Sequence, residues 1–395
     1  MSVRPLAMRA PASPLHDRPS ARRLMDLDWI LLISTLLLIG YGLVTGYSNT
    51  VEDRSFTGDV GQQLLRAILY AVIGLSLMSL VAFVDHSWLG TLAPLIYLGT
   101  LGLLAVVLVI GHSTLGATRW VAIAGSKFQP SEFAKVFMVV VLAKWFADHD
   151  VRSPLTLAGG LALLAAPVAL VYKQPDLGTS LVFVGIFFGM AFMAGARLWQ
   201  LTAIAAAGMA AMPVIWANLK PYQQARLTSF LNPWADAQGA GWNIIQSLIA
   251  VGSGSLSGKG LTAGTQSPLG YLPIAESDFV FSGLAEDLGF VGAVILFVLY
   301  IVLLLSALRI AHRSRDAFGT YFAGGIAAML AFQIVVNVGM AISLMPVTGI
   351  PLPFISQGGS SLISICFALG ALQAICTHQD VGSSASRASP AAHGS

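Results

Sequence analysis

Residues 278–310 read DFVFSGLAEDLGFVGAVILFVLYIVLLLSALRI. Behind its first residue this stretch is a long apolar run, and a helix crosses a bilayer with about 20 mainly apolar residues. Upstream, residues 218–277 are polar and rich in Gly, Pro and Ser. Asp278 therefore stands at the mouth of a membrane helix, where an acid is costly to place and usually has a function. Favourable placement at the positive end of the helix is the plainer account. Ser277 reads as the N-cap, which puts Asp278 in the first turn. Glu286 and Asp287 lie two turns deeper and need partners inside a bundle, with Arg66 and Lys135 as candidate cations. The run is over-long for one span. It either tilts strongly or continues into the cytoplasm through Arg309 and Arg315.

The rest of the chain agrees with a membrane setting. It is 56% hydrophobic and 10% charged, with a mean hydropathy of +0.78; soluble domains carry roughly 25% charged residues. A net charge of +3 is too small to point to nucleic acid. Ten spans are predicted, at 28–47, 64–83, 89–111, 131–147, 155–172, 178–195, 199–217, 279–310, 319–344 and 356–377. The fourth is the weakest, being short and flanked by charge. The predicted fold is an all-α polytopic membrane domain over 28–377, between an N-terminal tail (1–27) and a low-complexity C-terminal tail (378–395). The two cysteines, Cys366 and Cys376, are ten residues apart on one helix, too far for a disulfide.

Lys and Arg in short loops set orientation. With the N-terminus inside, twelve of them fall on the inner side, including Arg22, Arg23, Arg152, Arg197, Arg309, Arg313 and Arg315. The outer side then carries segments 48–63, 112–130, 345–355 and the large loop 218–277 between helices 7 and 8. Of the seven histidines only His112 is outside, and no cysteine is. A His-rich zinc site or a Ser-His-Asp triad is thus unsupported there. What remains is Glu132, Asp176, Asp236, Glu276 and Asp278 against Arg66, Arg119, Lys127, Lys135, Lys173, Lys220, Arg226 and Lys259. That inventory suits an anionic ligand held by basic groups, with an acid serving as base.

Each candidate has a structural alternative. Glu132 and Lys135 share one helix face, as an ion pair or as the lining of a polar cavity with Lys135 open to a phosphate. Asp176 caps the sixth span or sits in a backbone bend that approaches a ligand. Arg66 snorkels to headgroups or joins a site, and Arg119–Trp120 belongs to an interfacial belt or to a site. Residues 346–361, with three prolines and Gly358–Gly359, read as a re-entrant turn lining a cavity. Residues 243–251 read as an amphipathic helix lying on the membrane, followed by a glycine-rich turn. Asp236 reads as a turn former.

Taken in order, RWVAIAGSKFQPSEFAK, QPDLGTS, FLNPWADAQGAGWNIIQS, GTQSPLGYLP, SDFVFSGLAEDLGFVG and PVTGIPLPFISQGGSS closely resemble the SEDS family of shape, elongation, division and sporulation proteins. The resemblance covers nearly the whole chain outside the tails. It implies a ten-span peptidoglycan glycosyltransferase that polymerises lipid II, an undecaprenyl-diphosphate-linked glycan, outside a bacterial cytoplasmic (inner) membrane. It also implies a class B penicillin-binding protein, a transpeptidase, as partner, together with other membrane proteins of the elongation machinery. QPDLGTS, GTQS and PVTGIPLPF look like the rod-shape (RodA) branch rather than the division (FtsW) branch.

By resemblance Asp278 matches the family's essential acid. Arg66, Arg119, Trp120, Glu132, Lys135, Gln174, Asp176 and Ser356 match positions expected to bind the substrate and its diphosphate. A divalent cation, magnesium or manganese, is compatible with that role, and its ligands are open. The chain departs from the family pattern at Ile274 and Glu276, where Glu and His are usual, at Gln357, where Tyr is usual, and at Ala67, where Gln is usual. The implied reaction inverts the anomeric centre in one displacement, with Asp278 as base. A lipid-precursor flippase and a non-catalytic scaffold are the competing readings. Polar groups at the outer ends of spans, rather than near the midplane, favour the enzyme over a transporter.

Overall fold

The computed structural model describes residues 26–52, 59–114, 117–123, 126–239, 241–264 and 278–378. The tails, with Arg22 and Arg23, most of GTQSPLGYLP, and Ile274, Glu276 and Ser277 lie outside the described residues.

A helix meets every predicted span. In chain order these are α1 (Trp29–Glu52), α2 (Val60–Ala82), the short α3 (Ser87–Thr91) with α4 (Ala93–Ile110), α5 (Pro130–Asp148), α6 (Pro154–Lys173), α7 (Leu177–Met193), and α8 (Leu198–Ala210) with α9 (Met212–Asn218). Two shorter helices follow, α10 (Pro221–Leu231) and α11 (Trp242–Ser253), and then α12 (Val280–Arg313), α13 (Ala317–Ala341) and α14 (Gly359–His378). Among the described residues six helices are long and apolar enough to cross a membrane, namely α1, α2, α6, α12, α13 and α14, and α8–α9 makes a seventh if the pair, bent by 41°, is one span. Helices α4 and α7 are apolar but shorter.

The weak fourth span is the centre of the bundle. Most of α5 is buried, with α4, α7, α13 and α14 packed around it. Glu132 and Lys135 lower its hydropathy, but a helix sheathed in protein need not be apolar all round.

The described residues are mostly helical, as expected, with one small addition: β1 (His112–Thr114), β2 (Ala117–Ile123) and β3 (Ser126–Phe128) pair as a three-stranded antiparallel sheet. Trp120 pairs with His112 and Val121 with Phe128. This sheet delivers the chain into α5 at Pro130, a residue suited to a first helical position. The helix expected at 243–251 is present as α11, and its buried face packs on α12 and α13. Its Ser247 hydroxyl bonds Ser282 Oγ (2.6 Å) and the Ala341 carbonyl (2.7 Å). Helix α12 does run on past Arg309, to Arg313, and it is broken at Gly289 (φ 64°, ψ −161°).

The end of the bundle away from Asp278 is stapled by polar contacts. Asp28 accepts from Ser306 Oγ (2.9 Å), and Arg309 stands 3.6 Å from it. Asp316 caps α13 through Gly319 N (2.8 Å) and meets His86 Nε2 at 3.2 Å. The cysteines are free: Cys366 is buried and Cys376 half-buried.

Pro167, inside α6, cannot donate to the Leu163 carbonyl one turn back. Tyr97 on α4 donates to that carbonyl instead, at 3.0 Å. Tyr97→Phe leaves it orphaned and is expected to lower stability by about 1–3 kcal/mol. Pro167→Ala restores the helical bond, so the double variant should regain most of the loss in thermal unfolding. At the far end, the hydrogen bond from His86 lowers the Asp316 pKa to about 2. Its contribution to stability is therefore complete above the ordinary carboxylate pKa near 3.9 and is lost as pH falls from there towards 2. Acid unfolding over that window should flatten in His86→Gln.

Candidate functional site

Asp278 lies just outside its helix. The N-cap is Phe279 and α12 starts at Val280, so the expected place in the first turn is corrected by two residues. The half-buried side chain still sits at the positive end of the helix. Its backbone is clamped by Asn337, whose Nδ2 donates to the Asp278 carbonyl (3.1 Å) and to the Ile350 carbonyl (2.8 Å). That one amide ties the mouth of α12 to the proline-rich turn. Gly349 of the turn, at φ +74°, passes over the carboxylate: a Cβ there would stand 3.5 Å from Asp278 Oδ2. Glycine suits both the conformation and the close passage.

The same turn also lines a cavity of ≈ 60 Å³, in which Pro346 and Thr348 join Arg119, Asp176, Tyr222 and Arg226. Residues 346–361 therefore do border a cavity, as the sequence suggests. Asp176 has two structural duties. Its Oδ1 caps α7 by accepting from Thr179 N (3.1 Å), and its Oδ2 accepts from Thr179 Oγ1 (2.9 Å). Arg119 Nη1 stands 3.6 Å from Oδ1. Arg119 thus turns inward to a carboxylate rather than outward to a lipid belt, while Trp120 beside it is half-buried. Tyr222 and Arg226 are four apart on α10 and share a face. Two guanidinium groups and one carboxylate leave the cavity net positive. Arg119 Nε and the Thr348 hydroxyl are buried there without a hydrogen-bond partner. Such a pocket suits an anion with several acceptor oxygens.

The other candidates are placed as follows. Lys135 Nζ bonds Glu132 Oε1 at 2.9 Å, and the two are only 2% and 3% exposed. The pair is internal, so Lys135 is not open to solvent. Gln129, at the entry to α5, donates from its backbone to Ser360 Oγ (3.0 Å) and from its side chain to Asp176 Oδ2 (3.4 Å). Gln174 is buried and donates to the Leu104 carbonyl (2.9 Å). Ser356 Oγ accepts from Leu352 N (2.8 Å) and so shapes the proline-rich turn. Arg66 is exposed between the exposed Leu65 and Leu69, and reaches Gln62 at 3.4 Å. That is the posture of a snorkelling cation, and the structure does not bring it to the cavity. Glu286 and Asp287 find partners other than Arg66 and Lys135. Lys259 Nζ stands 2.6 Å from Glu286 Oε1, and Ser48 Oγ donates to Asp287 Oδ2 at 2.6 Å.

Sequence reasoning counted Arg226 among the outer cations without giving it a role, and it passed over Asn337 and Thr348. Asn337 lies in a mainly apolar helix, one turn after Gln333, where a buried amide is conspicuous. Thr348 sits inside the quoted proline-rich segment. Arg226 follows Tyr222 by one helical turn.

Three comparisons bear on this arrangement. Residues 28–381 match the family described as cell cycle protein and covering FtsW, RodA and SpoVE. Peptidoglycan glycosyltransferase MrdB of Escherichia coli K12 is 38% identical over 374 residues, 92% of this chain and 98% of that one. A chain in a solved peptidoglycan synthase complex, described as coordinating polymerization and crosslinking, superposes with TM-score 0.76 at 32% identity, covering 90% of this chain and 98% of that one. The crystal structure of rod shape determining protein RodA from Thermus thermophilus superposes with TM-score 0.67 at 29% identity, with the same coverage.

The double duty of Asp176 can be divided. Asn still caps α7 whereas Ala does not, so Asp176→Ala should be less stable than Asp176→Asn by about 1 kcal/mol in thermal unfolding. Equal melting of the two variants would mean that the cap is idle.

Proposed function

The chain belongs to the FtsW, RodA and SpoVE family, and from that premise we infer that it is a peptidoglycan glycosyltransferase of the RodA branch, polymerising glycan strands during elongation. The substrate is lipid II. The partner is a class B penicillin-binding protein; the relative in a synthase complex that joins polymerization to crosslinking supports it. The bundle makes ten crossings of the cytoplasmic membrane, with both termini inside, α4 and α7 among the crossings and α8–α9 as one bent span. Asp278 and the arginine-lined cavity then face outward. The charge asymmetry of the loops supports this orientation.

One observation carries the mechanism. A half-buried carboxylate and a net-positive cavity both lie against a single turn, 346–350. Asp278 takes the proton of the acceptor sugar's 4-hydroxyl as its oxygen attacks the donor's anomeric carbon. The bond to the diphosphate breaks with its electron pair, and the centre inverts in one step without a covalent carboxylate intermediate. The charge that develops on the leaving diphosphate is met by Arg119 and Arg226, with the Thr348 hydroxyl free to donate. Lys135 and Glu132 act from behind, as the internal pair that carries α5 through the bundle.

Among the described residues no three His, Cys, Asp or Glu side chains gather to hold a metal. A divalent cation would fit as a companion of the diphosphate, where it would supply neutralisation of the leaving group. The transporter reading loses ground because Glu286 and Asp287 are engaged by Lys259 and Ser48.

Purified protein with its transpeptidase partner, given lipid II, should polymerise it. Asp278→Asn should lower the rate by about 10²-fold or more while melting like the wild type. A folded Asp278→Asn protein that polymerises at the wild-type rate would remove Asp278 from the chemistry.

A further inference from the structure

Asp278 rides on a short helical segment that is separable from the rest of α12. At Gly289 the helix breaks, which frees the Glu286 and Asp287 carbonyls from Phe290 N and Val291 N. Inside an apolar bundle four such groups cannot be left open. The glycine-rich segment after α11 takes all four. Lys259 N donates to the Glu286 carbonyl (3.0 Å) and Gly260 N to the Asp287 carbonyl (2.9 Å). Phe290 N donates to the Ser255 carbonyl (3.0 Å) and Val291 N to the Leu256 carbonyl (3.1 Å). Residues 255–260 thus replace two missing helical bonds with four loop bonds. The fit allows no side chains at the crossing: a Cβ on Gly289 would stand 2.2 Å from Gly258 N, and one on Gly258 2.1 Å from the Asp287 carbonyl oxygen.

One side chain of this plug reaches back across the break. Lys259 Nζ lies 2.6 Å from Glu286 Oε1, and Glu286 is only 1% exposed. Ser253 Oγ adds a longer contact at 3.3 Å. The next residues extend the hold, since Thr262 N donates to Ser48 Oγ (2.8 Å), the hydroxyl that donates to Asp287. The nine residues 280–288 therefore have their orientation set by the plug on one side and by the Asn337 clamp on the other.

We propose that Lys259 is a positioning residue for the transfer reaction: its ion pair with Glu286 latches the plug to residues 280–288 and so holds the Asp278 carboxylate in line with the acceptor hydroxyl. The inference rests on the reading of Asp278 as base. The latch acts on placement and not on affinity, because Lys259 pairs with a buried carboxylate and is not among the residues lining the arginine cavity. Displacement of a reacting group by about 1 Å costs up to roughly 10²-fold in rate.

The test uses the full-length protein with its transpeptidase partner and lipid II. Lys259→Met should lower kcat by about 10- to 100-fold with KM within about twofold, and Lys259→Arg should recover most of the loss. Glu286→Gln, nearly the same size, should reproduce the Lys259→Met defect, and the double variant should be no worse than either single one, as residues acting as a unit are not additive. Amide hydrogen exchange should quicken in 280–288 while 290–313 keeps its protection. A wild-type kcat in Lys259→Met, a loss shared equally between kcat and KM, or exchange rising evenly along α12 would each overturn the proposal. If Lys259→Met does not fold, Glu286→Gln carries the same three readouts. Should Asp278→Asn prove fully active, the base assignment falls, yet the exchange pattern still decides whether the latch exists.

Discussion

Inside an apolar bundle no peptide group and no charge can be left to water, and this constraint organises the molecule. It explains why Tyr97 answers the proline in α6, why a glycine-rich loop fills the break in α12, and why Glu132 and Lys135 lie together under the site. It also explains Asn337, an amide in an apolar helix that satisfies carbonyls from two segments with one nitrogen. Each device answers a local deficit created by proline, glycine or charge. Together they fix the mouth of α12 more tightly than apolar packing could, because hydrogen bonds are directional and dispersion is not.

The site divides labour between buried and half-open charges. The buried carboxylates Glu132 and Glu286 each have a lysine amine within 3 Å. Asp278, Arg119 and Arg226 are more open, and one turn serves both places: Gly349 passes Asp278, while Pro346 and Thr348 line the cavity with the two arginines.

Much of this was legible in the residues. Hydropathy located a helix at each of the ten predicted spans, because the bilayer requirement for length leaves few alternatives, and ordered motifs named the family. Asp278 was visible as an acid where an acid is costly. What stayed hidden depended on contacts far apart in sequence. The sheet at 112–128 was missed because its strands are only three to seven residues long, too short for alternation to declare itself. At 243–251 amphipathicity shows that one face of the helix is buried, but not that α12 and α13 bury it. Glu286 was given the wrong partners because Lys259 reaches it only through the break at Gly289, which looks like any other glycine in the sequence. Arg66 carried a motif match, but its direction on the helix is a property of packing.

The plug has one more consequence, in the order in which the protein can be assembled. Its bonds to α12 join residues about thirty apart, and the loop is synthesised before the break it fills, so this part can form as soon as α12 is made. The clamp on Asp278 is different. It needs Asn337 and Ile350, and the far end of the bundle is closed by Gln373 and Asp28, 345 residues apart in the chain. A chain that lacks its last two helices has the residues of the plug but neither Asn337 nor Ile350, so the backbone of Asp278 would go unclamped.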